Sequence, residues 1–155
     1  MRMLVMGIVV AAVGATSTAA QDARHIRLTP GEFDFRTAGG AGAGTSGVTG
    51  IRTIVLKGDP TKPGLYTILL RVPAHTRIAA HHHPDDRIAT VIFGTWNFGY
   101  GSKFDATKLR ALPPGSFYTE PPNEDHFAQT GDSAVMVQIS GIGPTGTIYV
   151  ADPRH

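Results

Sequence analysis

The chain has 155 residues, of which 41% are hydrophobic and 17% are charged, so we expect one globular domain with a real core rather than a disordered protein. The 14 basic and 12 acidic residues leave a net charge of +2, and no basic run indicates binding to nucleic acid. The absence of cysteine excludes disulfides, thiolate metal ligands and a cysteine nucleophile, which leaves histidine and carboxylate as possible metal ligands.

The N-terminus has the pattern of an export signal. Arg2 precedes the apolar run LVMGIVVAAVGA, and the small residues TSTAA follow it, as in a secretory signal with its cleavage site. The apolar run is shorter than the about 20 residues that span a bilayer. We therefore predict a signal peptide over residues 1–20 and a periplasmic or secreted protein with no stable membrane anchor. An uncleaved anchor or a buried helix is the alternative interpretation.

The segment that follows, residues 21–50, is predicted to be an extended N-terminal segment with a glycine-rich loop. HIRLTPGEFDFR reads as extended chain with a turn at Pro30-Gly31. TAGGAGAGTSGVTG, residues 37–50, is interpreted as a flexible loop that cannot pack into a core.

Short strands dominate the prediction for residues 51–150. RTIVL is strand-like, and LYTILLRV alternates so that one face carries Tyr66, Ile68, Leu70 and Val72. IATVIFGTWNFGYG is rich in β-branched and aromatic residues, and HFAQTGDSAVMVQIS predicts two strands joined near Gly131. No stretch after the signal has a helical stripe. The pattern predicts an all-β sandwich or barrel, followed by a C-terminal tail over residues 151–155.

Three consecutive histidines open the segment HHHPDDR, residues 81–87. His81 and His83 are two residues apart, so on a strand their imidazoles lie on the same side and can converge on one ion, whereas His82 points the other way. Taken alone, the cluster is equally compatible with a solvated polar turn.

A second segment, PPGSFYTEPPNEDHFAQT, changes this balance. Together the two segments resemble the motifs of the cupin superfamily, G-x5-H-x-H-x3-4-E-x6-G and G-x5-P-x-G-x2-H-x3-N. The matching positions are His81, His83 and Gly94 in the first motif, and Gly115, Pro121 and His126 in the second. Three longer segments are also similar to those of small single-domain bacterial cupins, many of which carry an export signal: LKGDPTKPGLYT, HHHPDDRIATVIFGTW and GIGPTGTIYV.

Four positions depart from the motifs. His75 stands at the opening glycine of the first motif, and Arg87 stands where its glutamate usually is. Asn123 and Thr130 take the glycine and final asparagine positions of the second. The change to Asn123 is mild, because asparagine tolerates positive φ best after glycine.

The resemblance implies a cupin-type double-stranded β-helix, a jelly-roll-like barrel with a metal inside. Carried over by position, the metal ligands are His81, His83 and His126, and the cofactor is a divalent transition metal: iron, manganese, zinc or nickel. A homodimer is a family-level expectation.

Arg87 cannot replace the missing glutamate ligand, because guanidinium is permanently charged and has no lone pair to give. In one hypothesis the metal is held by three histidines, and Arg87 grips an anionic substrate as a catalytic and binding residue. In a second, another residue completes the coordination sphere, with Glu120, Gln138, Asp85 and Asp86 as candidates; Glu120 could instead pair with Arg87. In a third, no metal binds.

These patterns predict a small exported metalloenzyme that acts on a small anionic or carbonyl compound by dioxygenase, lyase or isomerase chemistry. Arg87 and Glu120 are its candidate catalytic residues, and Arg87, Gln138 and Tyr118 its candidate substrate-binding residues. The alternatives are a non-catalytic cupin that binds or senses a metal or small ligand, and a structural protein without metal.

Overall fold

The computed structural model describes residues 25–36 and 45–150. The predicted signal peptide and the C-terminal tail therefore lie outside the described residues, as does most of the glycine-rich stretch. The strands are β1 (Arg52–Lys57), β2 (Gly64–Val72), β3 (Arg77–His82), β4 (Arg87–Phe93), β5 (Trp96–Tyr100), β6 (Arg110–Leu112), β7 (Phe117–Glu120), β8 (His126–Thr130), β9 (Val135–Gly143) and β10 (Ile148–Tyr149). Two short 3-10 turns cover Pro30–Glu32 and Ala106–Lys108.

The strands form two antiparallel five-stranded sheets, so the prediction of an all-β fold is confirmed. The first sheet has the order β1-β2-β9-β4-β7, and the second has the order β10-β3-β8-β5-β6. Within the described ranges, no helix is both long and apolar enough to cross a bilayer.

The core lies between the sheets and follows the alternation of the strands. On β2 the predicted inward face is confirmed, since Tyr66, Ile68 and Val72 are fully buried and Leu70 is 7% exposed. The inward residues of the other strands join them in one cluster that includes Ile78, Val91, Trp96, Phe98, Val137 and Ile139.

The end of the glycine-rich stretch differs from its prediction. Thr45 and Ser46 are only 3% and 5% exposed, and Val48 packs against the core. Side-chain hydroxyls of β10 and the turn before it donate to backbone carbonyls of this segment. These contacts hold a segment of low hydrophobicity against the barrel, so the expectation that this loop cannot pack into the core is wrong for Thr45, Ser46 and Val48.

Two departures from the cupin motifs have a common conformational explanation. His75 and Asn123 are the non-glycine residues of the described ranges with positive φ, at 54° and 59°. Each stands at a motif glycine position, so the backbone keeps the left-handed conformation although the glycine is gone. The tolerance expected for Asn123 is confirmed, and His75 adopts the same conformation at a greater steric cost.

Candidate metal centre

The three histidines that match the motifs meet inside the barrel. His81 is on β3, His83 directly follows that strand, and His126 opens β8, where it pairs with His81 across the second sheet. Their ring centroids are 4.5–5.2 Å apart, and one nitrogen from each ring falls in a group whose members all lie within 4.8 Å of one another. All three side chains are buried, at 5% exposure or less.

Backbone carbonyls fix the tautomer of each ring. Nδ1 of His81 donates to Ala79 O at 2.8 Å, that of His83 to Gly146 O at 2.5 Å, and that of His126 to Glu124 O at 3.0 Å. Because a carbonyl oxygen can only accept, Nδ1 carries the proton and Nε2 keeps its lone pair. Nε2 of His83 and of His126 is buried without a hydrogen-bond partner among the described residues.

The rings are neutral at physiological pH. Burial is the main cause that lowers the pKa of His81 to about 4 and that of His83 to about 3, and it also lowers the pKa of His126. A metal therefore meets little competition from protons at these nitrogens near neutrality.

A buried ion pair lies on the facing sheet. Arg87 on β4 and Glu120 on β7 are register partners, and both Nε and Nη2 of Arg87 donate to Glu120 Oε2, at 2.7 and 2.5 Å. Burial is the largest single effect and raises the pKa of Glu120, but the charge of Arg87 and the three histidines together outweigh it and lower the pKa to about 2. The same carboxylate oxygen is 3.7 Å from Nε2 of His83 and 3.9 Å from Nε2 of His126.

A second carboxylate lies on the other side of Arg87. Asp85 is 6% exposed, and its Oδ2 accepts a 2.7 Å hydrogen bond from the hydroxyl of Tyr66. Gly141 pairs with both Tyr66 and Arg87 in the first sheet, and a Cβ there would lie 2.7 Å from Asp85 Oδ2 and from Tyr66 Oη. The missing side chain at Gly141 therefore makes the room that this carboxylate and phenol occupy.

The histidines and the ion pair line a cavity of about 30 Å³, roughly the space of one or two molecules the size of water. Its remaining wall is mostly apolar and comprises Ser46, Leu70, Val72, Ile78, Trp96, Phe98, Tyr118, Ala128, Val137 and Ile139. The polar side chains on this wall are therefore few, and the three histidines and the ion pair make up most of them.

The donor set fits a divalent transition metal. Three neutral imidazoles with fixed tautomers are typical ligands of such ions. The buried side chains beside them comprise one guanidinium and two carboxylates, and a bound cation would offset the surplus negative charge.

The structure brings most of the predicted site residues together. Arg87, Glu120 and Tyr118 line the cavity with the histidines, although two donors of Arg87 are engaged by Glu120 rather than open to a ligand. Gln138 is not brought to the cavity: its neighbours on β9, Val137 and Ile139, line it, so the half-buried Gln138 lies on the opposite face of the strand.

The two aspartates of the histidine segment separate, as adjacent residues on extended chain do. Asp85 is buried and Asp86 is exposed. The sequence did not identify Ser46 or Tyr66 as parts of the site. The alternation of β2 placed Tyr66 inside the barrel, but Asp85, the partner of its hydroxyl, is 19 residues away along the chain. The glycine-rich pattern carries no signal for Ser46.

No known protein-family model matches this sequence, and no curated protein is significantly similar to it. Among solved structures, the polyketide cyclase RemF from Streptomyces resistomycificus is 14% identical, with a TM-score of 0.63 over 84% of this chain and 88% of the cyclase. The DMSP lyase DddQ from Ruegeria pomeroyi is 20% identical, with a TM-score of 0.57 over 83% of this chain and 62% of the lyase. A cupin 2 conserved barrel domain protein from Leptotrichia buccalis is 17% identical, with a TM-score of 0.51 over 61% of this chain and 42% of that protein.

The fold is a cupin-type barrel. The match spans less than two thirds of the lyase and less than half of the Leptotrichia protein. At these identities the likeness concerns the fold alone. Within this barrel, Arg87 on β4 and Glu120 on β7 belong to the first sheet, and the three histidines lie on or directly after strands of the second sheet.

Proposed function

We propose that this protein is a metal-dependent cupin enzyme in which His81, His83 and His126 hold a divalent transition metal and a small molecule is converted beside it. The observation that carries the proposal is the arrangement of the three Nε2 atoms. They belong to buried neutral rings with Nδ1 hydrogen-bonded to backbone, and those of His83 and His126 have no hydrogen-bond partner among the described residues. Leaving such atoms unsatisfied costs free energy that a bound metal would recover.

Glu120 is proposed as the carboxylate of this centre. The usual glutamate position of the motif holds Arg87, but the residue paired with it on β7 is Glu120, whose Oε2 is within 4 Å of two histidine Nε2 atoms. An ionised carboxylate at this place can accept a proton from a substrate or complete the ligand set. Arg87 holds it in that orientation through two donors and keeps it ionised.

When bound, the metal would act as a Lewis acid and provide an open coordination position for a substrate or for O₂. The apolar wall of Trp96, Phe98 and Tyr118 would exclude water from the reacting groups. We propose a small anionic or carbonyl compound as the substrate, with dioxygenase, lyase or isomerase chemistry. The barrel folds of the cyclase and lyase neighbours are compatible with any of these.

The decisive experiment is elemental analysis of the purified mature protein alongside the His81→Ala/His126→Ala double variant. We expect about one equivalent of iron, manganese, zinc or nickel per chain in the wild type and a loss of that metal in the double variant. A His82→Ala variant is the matched control, because His82 hydrogen-bonds Asp125 and does not line the cavity. Failure of the wild type to take up any of the four metals after reconstitution would contradict the proposal.

The size of the cavity favours a second candidate, a cupin that binds a metal or small ligand without turning it over. About 30 Å³ accommodates an ion with small ligands but not an organic substrate. The two functions differ in one measurement. A metal-loaded enzyme consumes O₂ or converts a carbonyl or carboxylate compound from a substrate panel, whereas a binding protein only shifts its melting temperature with the ligand.

We further propose that the protein is exported, on the pattern of residues 1–20 and on the cysteine-free composition, which an oxidising compartment does not disturb. Expression of the full chain in a bacterium with an outer membrane should yield periplasmic protein whose intact mass corresponds to a chain starting at Gln21. An uncleaved chain in the membrane fraction would favour an anchor instead. A homodimer stays a prediction.

A further inference from the structure

Ser46 is the one described residue before β2 on the cavity wall. The other lining residues come from position 70 onward, on the strands of the barrel or directly after β3. Ser46 is 5% exposed and shares the cavity with His81 and His83. The segment Thr45–Val48, which belongs to neither sheet, therefore covers the cavity at Ser46, and we call it the covering segment.

Two hydroxyl groups hold this segment in place. The hydroxyl of Tyr149 donates to the carbonyl of Ser46, and Thr147 Oγ1 donates to the carbonyl of Thr45 at 2.5 Å. Both acceptors are backbone atoms, so the contacts fix the path of the chain whatever side chains residues 45 and 46 carry.

The residues that hold the segment also touch the candidate metal ligands. Tyr149 pairs with His81 between β10 and β3, and their ring centroids are 5.4 Å apart. Gly146 O accepts from Nδ1 of His83, and Thr147 Oγ1 lies 3.4 Å from the same nitrogen. The position of the covering segment is thus coupled to the geometry of the metal site.

The other lining residues lie on paired strands or directly after one, so moving them would break several backbone hydrogen bonds together. The covering segment belongs to neither sheet and is held by side-chain hydrogen bonds and the packing of Val48, so fewer backbone hydrogen bonds have to break when it moves. A cavity of about 30 Å³ must enlarge before it admits an organic molecule.

We propose that Thr45–Val48 is the movable wall through which the substrate enters, that Tyr149 is the positioning residue that holds it closed, and that Ser46 contacts the bound substrate and contributes to specificity. The functional meaning of this inference rests on the proposed metal centre, but the movement itself does not depend on bound metal. A small ligand with a polar group near the metal and an apolar remainder fits the wall that Ser46 completes.

The absence of native cysteine makes the movement measurable. Ser46→Cys places a unique thiol at the covered position, and its rate of reaction with a soluble disulfide reagent is measured in metal-free protein with chelator present. We expect slow labelling in this background and an increase of about tenfold or more when Tyr149→Phe is added, because the change removes the hydroxyl and keeps the ring. Tyr100→Phe is the matched control: its hydroxyl also donates to a backbone carbonyl, Thr119 O at 2.7 Å, but away from this segment.

Labelling of the parent Ser46→Cys protein as fast as a free thiol would overturn the inference, as would an unchanged rate in the Tyr149→Phe variant. Thr147→Val replaces Tyr149→Phe if the latter does not unfold cooperatively, with the same acceleration expected. Since the assay is done without metal, its failure is distinguishable from failure of the metal centre, which the elemental analysis tests separately.

The contribution to specificity is tested by Ser46→Ala, which should weaken binding of azide to the Co(II)-loaded protein, followed spectroscopically, while Co(II) stoichiometry stays the same. Unchanged azide affinity would contradict the contact.

Discussion

Arg87 and Glu120 face each other across β4 and β7, and two guanidinium nitrogens donate to a single carboxylate oxygen at 2.5 and 2.7 Å. Both residues are at most 4% exposed. Arg87 thus stands at the position where the cupin motif has its glutamate, and the carboxylate comes from the neighbouring strand instead. The arrangement keeps a carboxylate beside the histidines while reversing the charge at the motif position.

Removing the charge of Arg87 while Glu120 stays in place is expected to destabilise the fold. Arg87→Met should lower the free energy of unfolding of the metal-free protein by about 3–5 kcal/mol, because Glu120 would remain buried without its main cation. Urea denaturation measures this change. The double variant Arg87→Met/Glu120→Gln is the control and should recover much of the loss. A cost below about 1 kcal/mol for Arg87→Met would mean that the pair behaves like an exposed one.

Because the histidines are buried in neutral form, we expect the free energy of unfolding to fall as the pH is lowered. Their folded-state pKa values, about 4 for His81 and about 3 for His83, lie below the ordinary histidine value of 6.5, so the unfolded chain binds more protons as the pH falls below about 6.5. Stability should therefore be lost from about pH 6.5 downward, reaching about 3 kcal/mol for His81 alone near pH 4. Glu120, with its lowered pKa, adds a loss only below about pH 4.5.

Urea denaturation of metal-free protein at pH 7, 5.5 and 4.5 tests this dependence. A His83→Gln variant should show a shallower decline, because it removes one of the groups that must be buried neutral. Equal stability at pH 7 and pH 4.5 in the wild type would show that the histidines are not held in this environment.

Gly141 should not tolerate a side chain. Its Cβ would lie 2.7 Å from Asp85 Oδ2 and Tyr66 Oη, so Gly141→Ala is expected to cost about 1–3 kcal/mol and to displace the hydrogen-bonded pair beside Arg87. Thermal unfolding checks the cost. Gly131→Ala is the matched control, because a Cβ there meets nothing within 4 Å. Similar melting temperatures for the two variants would contradict this account of the space at Gly141.

The left-handed conformation of His75 predicts a stabilising substitution. With φ at 54°, His75→Gly should relieve steric strain and raise the free energy of unfolding by about 0.5–1 kcal/mol, after the larger entropy of glycine in the unfolded chain is subtracted. The loss of the 3.7 Å contact with the exposed Asp132 matters little. His75→Ala keeps the strain and should give no such gain; equal effects of the two changes would assign them to the imidazole instead.

Much of the barrel was predictable because strand alternation is local. The inward face of β2, the opposed directions of His81 and His82, and the separation of Asp85 from Asp86 all follow from the period of two along a strand. The resemblance to the two cupin motifs also implied which histidines converge and which fold surrounds them.

Contacts between distant strands were beyond this reasoning. From the sequence, Gln138 could face either side of its apolar strand. The register of β9 against β2 and β4 decides that its neighbours Val137 and Ile139 line the cavity instead. Ser46 stands in a stretch whose composition predicts exposure, yet hydroxyls about 100 residues later bind its segment to the barrel.

The sequence by itself determined which side chains could bind a metal, because residue type sets the available lone pairs and local spacing sets which imidazoles share a face. Only the tertiary structure decided which carboxylate accompanies them. Asp85, Asp86 and Glu120 were chemically equivalent candidates along the chain. The pairing of β4 with β7 brings Glu120 to Arg87 and within 4 Å of two histidines, because register between strands is a property of the whole sheet rather than of any one segment.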